Sequence, residues 1–149
     1  MPGGRRQRVS VVTLGVADLG RARDFYEGWG WVPHVVADDV VFFQGNGLVI
    51  ALFPLKLLAE DQGRPDVPLE TGALTLAQNY ATEAEVDERF RAAVAAGATM
   101  LKRPERTSWD GYGGYVADPD GHVWELAMNP FWPLDINGDV TLPDDPESA

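Results

Sequence analysis

The chain has no cysteine, which excludes a disulfide scaffold, a zinc–thiolate centre and a thiol nucleophile. Histidine is nearly absent too, with only His34 and His122. No apolar run approaches the ~20 residues that span a bilayer, so no membrane partner is expected. Basic residues are few, 12 against 23 acidic ones, for a net charge of −11. That balance argues against nucleic acid and polyanions and tolerates cationic ligands. There is no phosphate-binding glycine loop and no G-x-S-x-G elbow. The basic start, MPGGRRQRVS, lacks the apolar core of a signal peptide. A cytoplasmic location is expected. The 149 residues suit one domain of ordinary size.

What is present is a repeated order of elements. Residues 9–31 read as strand, helix and glycine stop, with Asp18 as N-cap and Gly28 and Gly30 at the end. Three strand-like runs follow at 31–38, 39–46 and 47–54. Residues 73–100 repeat the pattern. A strand leads to the capping box Thr82-Glu85, then to an amphipathic helix stopped by Gly97. Three more strands are expected, ending in GHVWELAM. The reading is an α+β domain over 8–130. Module one covers 8–54, a linker 55–72 holds a short helix near 55–60, and module two covers 73–130. Residues 131–149 form a C-terminal extension with a Pro- and Asp-rich, disordered tail.

The most informative segment is Asp118–Pro130, DPDGHVWELAMNP. Pro119 fixes φ, Asp120 can bond its own backbone, and Gly121 accepts positive φ, so the segment opens on a tight turn. In the strand that follows, Val123 and Glu125 share one face, and Trp124 and Leu126 the other. A mid-strand carboxylate among apolar neighbours is costly unless it meets a metal, a partner or a ligand. A half-exposed Glu facing water is the plainer alternative. His122 alternates away from Glu125, and both histidines read as surface or packing residues.

These motifs carry a resemblance. VTLGVADL followed by FYEGWG, then AAGA, then GYVADPDGHVWEL, resemble the vicinal oxygen chelate superfamily of glyoxalase I, bleomycin-resistance proteins and extradiol dioxygenases. The likeness covers about residues 8–128. It implies two βαβββ modules forming a curved mixed sheet around a cleft, and often a homodimer. It also implies metal ligands on the first and last strands of each module. Those positions fall here on Val11, Ala51, Thr75 and Glu125. Only Glu125 can ligate well. Gln78 could assist, but on an ideal strand it points away unless a bulge intervenes. No cofactor is therefore expected, although a divalent metal on Glu125 and Gln78 stays open.

The expected site is a small-molecule cleft. Glu125 is its candidate catalytic residue, and Gln78, Asn79, Trp109, Tyr112 and Phe53 are candidate ligand contacts. Aromatic walls with few polar groups suit such a cleft, although aromatics also fill ordinary cores. Glycines 111, 113 and 114 could let the backbone approach a ligand, or could serve a turn or bulge. Two functions fit: capture of a small hydrophobic or cationic molecule, or a lyase, isomerase or dioxygenase reaction at Glu125, either metal-dependent with non-standard donors or by metal-free acid–base chemistry.

Overall fold

The computed structural model describes residues 7–143. The tail expectation falls largely on 144–149 and lies outside them. β1 (Val11–Val16) leads to α1 (Leu19–Trp29), then β2 (Pro33–Val36), β3 (Val41–Gln44) and β4 (Val49–Pro54). α2 (Leu55–Asp61) opens the linker. β5 (Thr75–Asn79), α3 (Glu83–Ala96), β6 (Thr99–Arg106), β7 (Tyr112–Ala117) and β8 (Val123–Met128) then repeat the βαβββ order. Each module forms its own four-stranded mixed sheet, β1-β4-β3-β2 and β5-β8-β7-β6. In both, the first strand runs parallel to the last and lies at a sheet edge. Among the described residues no helix is long and apolar enough to cross a membrane.

The caps are those the sequence announces, except that Gly28 lies inside α1, which runs on to Trp29 and stops at Gly30 alone. Asp18 accepts from the Arg21 N–H, and Thr82 from the Glu85 N–H at 3.1 Å. Gly30, at φ 117°, closes α1 by donating to the Tyr26 and Glu27 carbonyls, a conformation that side-chain-bearing residues resist. The buried faces of the helices meet over one shared core. Phe25, Tyr26 and Trp29 of α1 join Val86 and Phe90 of α3, with Trp124 and Leu126 of β8 beneath.

A polar network joins the modules inside that core. Asp118, only 3 % exposed, ends β7. Its Oδ1 accepts the backbone N–H groups of Asp120 and His122 at 2.9 and 2.8 Å, which sets the β7–β8 turn. Its Oδ2 accepts the Tyr26 hydroxyl at 2.6 Å, and Trp124 Nε1–H donates to the Tyr26 oxygen at 3.0 Å. The tip of the turn reaches further. Asp120 Oδ1 accepts from the Ala17 N–H at 2.8 Å and from Arg21 at 3.0 Å. His122 Nε2–H donates to the Gly15 carbonyl at 2.7 Å. One turn of module two is thus bolted to the end of β1 and the start of α1.

Tyr26→Phe removes the donor to Asp118 and the acceptor for Trp124, both in a dry site. A loss of about 2–4 kcal/mol is expected in urea unfolding, since each stranded buried polar group costs about 1–3 kcal/mol. Arg21→Ala, which breaks a half-exposed pair, should cost no more than about 1 kcal/mol.

Candidate functional site

The site is built on the face of each sheet turned away from the helices. In β8, Trp124 and Leu126 are buried against α1 and α3, so Glu125 and Ala127 face the other way. The hairpin register sets Glu125 opposite Tyr115 on β7 and beside Ala77 on β5. The Tyr115 hydroxyl donates to Glu125 Oε2 at 3.2 Å. Burial, then the Glu125 charge, then this hydrogen bond raise the Tyr115 pKa above the usual phenol range.

Glu125 lines a hollow of about 380 Å³ together with Tyr115, Trp109, Tyr112, Lys102 and Arg106. Lys102 is paired with Glu105 at 3.2 Å, and Arg106 lies 3.7 Å from Glu83. Among the described residues no salt bridge reaches Glu125. The lining balances Lys102 and Arg106 against Glu105 and Glu125, and Glu125 is its one carboxylate without an ion pair among the described residues. The Tyr112 hydroxyl is committed to Asp87 of α3 at 2.6 Å, so that residue lends the hollow little polarity. This bond, then burial, raises its pKa to about 12.

The glycines of the SWDGYGGY stretch serve packing. A Cβ on Gly111 would stand 2.1 Å from the Trp109 ring, and one on Gly114 would stand 2.6 Å from the Lys102 carbonyl oxygen. Gly111 seats the indole. Gly114 admits the irregular stretch of β6 between Lys102 and Glu105, which contains Pro104. Trp109, held there, stays 46 % exposed at the rim.

The structure brings together only part of the expected set. Glu125, Trp109 and Tyr112 line one hollow. Gln78 and Asn79 line a different cavity, at the C-terminal end of β5, together with Ala77. The β5·β8 register is unbroken, so no bulge turns Gln78 toward Glu125; Gln78 stands opposite Leu126. It accepts instead from the Tyr80 hydroxyl. Asn79, opposite Ala127, shares the sheet face of Glu125 but not its hollow. Phe53 sits on β4 of the other sheet, paired with Gly15, and is not among the residues around Glu125. Tyr115 is the partner that sequence reasoning did not single out. Its signal lay in the turn: a hairpin hinged on Pro119–Gly121 sets 117 against 123 and so 115 against 125.

The donor positions can be tested against a divalent metal. Val11 lies opposite Val49, Ala51 opposite Thr13, and Thr75 opposite Val123. Two of the four implied positions are hydrocarbon and a third is a hydroxyl. Among the described residues no group of three or more His, Asp or Glu side chains converges. The residues present do not fit a three-donor metal site.

Comparison with known proteins agrees with this architecture. The sequence profile described as Glyoxalase/Bleomycin resistance protein/Dioxygenase superfamily matches residues 8–126. A crystal structure of a glyoxalase-related enzyme from Fulvimarina pelagi is 42 % identical, with a TM-score of 0.86, over 92 % of this chain and 99 % of that one. A lactoylglutathione lyase from Agrobacterium tumefaciens shares the fold at 21 % identity, TM-score 0.68, over 86 % and 98 % of the two chains. An uncharacterised protein of Mycobacterium bovis is 41 % identical over 49 residues, and that match spans 33 % of this chain and 32 % of the relative. The fold and these matches define a protein of paired βαβββ modules. The chain belongs to the glyoxalase/bleomycin resistance protein/dioxygenase superfamily.

All four tyrosines are held protonated: Tyr26 by burial and Asp118, Tyr80 by burial to about 12, Tyr112 to about 12 and Tyr115 upward. Folded-state pKa values above the unfolded value favour the native state below pH ~10, and that contribution is lost as pH rises through the folded values. Absorbance titration at pH 10 should show far less than the half-ionisation of free tyrosine. Stability should fall steeply above that pH.

Proposed function

We propose that this protein captures a small hydrophobic or cationic molecule in the hollow around Glu125. The observation that carries the reading is the setting of Glu125. It is a carboxylate with a single hydroxyl partner, no ion pair among the described residues, and an aromatic rim supplied by Trp109 and Tyr115. An organic cation would give Glu125 an ion pair, and the indole would cover its apolar body. The overall charge of −11 draws cations toward the molecule. Such a ligand needs no metal.

The cleft is completed by a second copy in this reading. β1 and β5 are open edges, and Val9, Val11 and Leu74 along them are 63 %, 48 % and 58 % exposed. A homodimer would cover these strands and close the open sheet faces over the ligand. The absence of cysteine supports a cytoplasmic setting.

A catalytic reading rests on the same residue. Glu125 with Tyr115 could move a proton as a base and its hydrogen-bonding support, the chemistry of a lyase or isomerase. A thermal-shift screen of small cations and neutral aromatics separates the two. Ligands that stabilise the wild type and are recovered unchanged support capture, whereas ligands converted to product support catalysis. Glu125→Gln should weaken binding at least about tenfold, the value of one charge-assisted contact. It should shift stability by no more than about 1 kcal/mol, since Gln is nearly isosteric and relieves a half-buried charge. Binding unchanged in that variant would dismiss Glu125 as the anchor. Elemental analysis of protein purified without chelator should show well below one divalent metal per chain.

A further inference from the structure

The two modules can be overlaid through their strand registers. Val11 pairs with Val49, and Thr75 with Val123, at the start of equivalent parallel pairs. Asp18 and Thr82, the two N-caps, stand at equal distances after Val11 and Thr75. Gly47 and Gly121, both at positive φ, stand at equal distances before Val49 and Val123. From these anchors Ala17 corresponds to Ala81, Arg21 to Glu85, and Asp120 to Asn46.

At one seam the three residues form a closed joint. Asp120, 6 % exposed in its side chain, accepts from the Ala17 N–H and from the Arg21 guanidinium. At the other seam their counterparts stand apart. Ala81, Glu85 and Asn46 line a cavity of about 1020 Å³, and no hydrogen bond joins them among the described residues. Asn46 donates instead to the Asn137 carbonyl in the C-terminal extension. There a short hairpin, closed by the Leu134–Val140 pair, forms the outer wall.

The exchange has a chemical consequence. An anion–cation pair has become an amide and an anion without an ion pair among the described residues. No salt bridge reaches Glu85 among the described residues; its carboxylate meets only the Thr82 hydroxyl, at 3.4 Å. Asp135 and Asp139 add negative charge from the hairpin side. Arg89 is the cation of this cavity, and its guanidinium is engaged by the Trp29 carbonyl. Trp31 supplies a half-buried aromatic wall, fixed by an edge-to-face contact with Phe43 and a tilted one with Trp124. Ile136, fully exposed, and Val32, 76 % exposed, form an apolar rim.

We propose that this seam cavity is a second ligand site, separate from the Glu125 hollow, and that it takes an organic cation with a flat apolar body. The amidinium or ammonium head stands against Glu85, on the side where Asp120 meets Arg21 at the other seam. The body lies against Trp31 and under the hairpin. The volume is at the upper end of the range for compact organic ligands. A cation beside an aromatic face and a carboxylate gains from both.

Benzamidine is the probe, with neutral benzamide as its control, and calorimetric titration is the measurement. The Glu125→Gln protein removes the other candidate anchor from the result. In that background benzamidine should bind saturably at one per chain, and benzamide at least tenfold more weakly. Adding Glu85→Gln should weaken benzamidine by about five- to tenfold, as loss of one charge-assisted contact does. Adding Arg21→Ala, at the closed seam, should leave the affinity unchanged. The Thr82 cap uses the backbone N–H of residue 85, so Glu85→Gln keeps it. Absence of benzamidine binding in the Glu125→Gln protein would overturn the proposal. So would equal binding of benzamide, or an affinity indifferent to Glu85→Gln.

Discussion

The buried carboxylate of Asp118 is the constraint on which the rest of the molecule depends. A charge only 3 % exposed is tolerable only if its acceptor positions are filled. Two backbone N–H groups and the Tyr26 hydroxyl fill them. The first pair fixes the β7–β8 turn and hence the register that sets Glu125 against Tyr115. The third ties that turn to α1 of the other module, with Trp124 completing the chain. A single side chain therefore orients the candidate site and joins the two halves of the fold.

Much of the fold was legible in the sequence because its signals are local. The caps at Asp18 and Thr82, the stops at Gly30 and Gly97, and the repeated element order need no knowledge of distant contacts. The face of Glu125 was legible for the same reason, since strand alternation after the Asp118–Gly121 turn decides it. The grouping of the site was not. Gln78 is near Glu125 in topology, yet an unbroken register keeps it on the opposite face. Phe53 belongs to the other sheet, and nothing in its own segment reveals how far that sheet stands from Glu125. The joints made by Asp118 and Asp120 were invisible too, because their partners lie about a hundred residues earlier. The C-terminal hairpin lay inside what read only as an extension, since one bridge and a few turn hydrogen bonds leave almost no periodic signal.

The site also shows how a duplicated scaffold can diverge without losing its core. Equivalent strand positions hold Glu125 in one sheet and Ala51 in the other, with Ala77 and Thr13 beside them. The helix-facing positions stay apolar in both, because the shared core leaves them no latitude. Along the strands, chemistry changed where the sheets face outward. That division explains why superfamily membership is readable over most of the chain while the activity is not: the positions that define the fold and those that define the ligand lie on opposite faces of the same strands.

Trp124 has a consequence for the order in which the protein is made. Its ring packs against Tyr26, Trp29 and Trp31, all from module one. A ribosome delivers those three aromatics about ninety residues before it delivers their cover. Throughout that interval the aromatic surface of the first module is incompletely covered, since α3 brings only Val86 and Phe90 to it before β8 brings Trp124. Synthesis of this chain therefore includes a window of exposure to chaperones and to neighbouring nascent chains, and it ends only when β8 emerges.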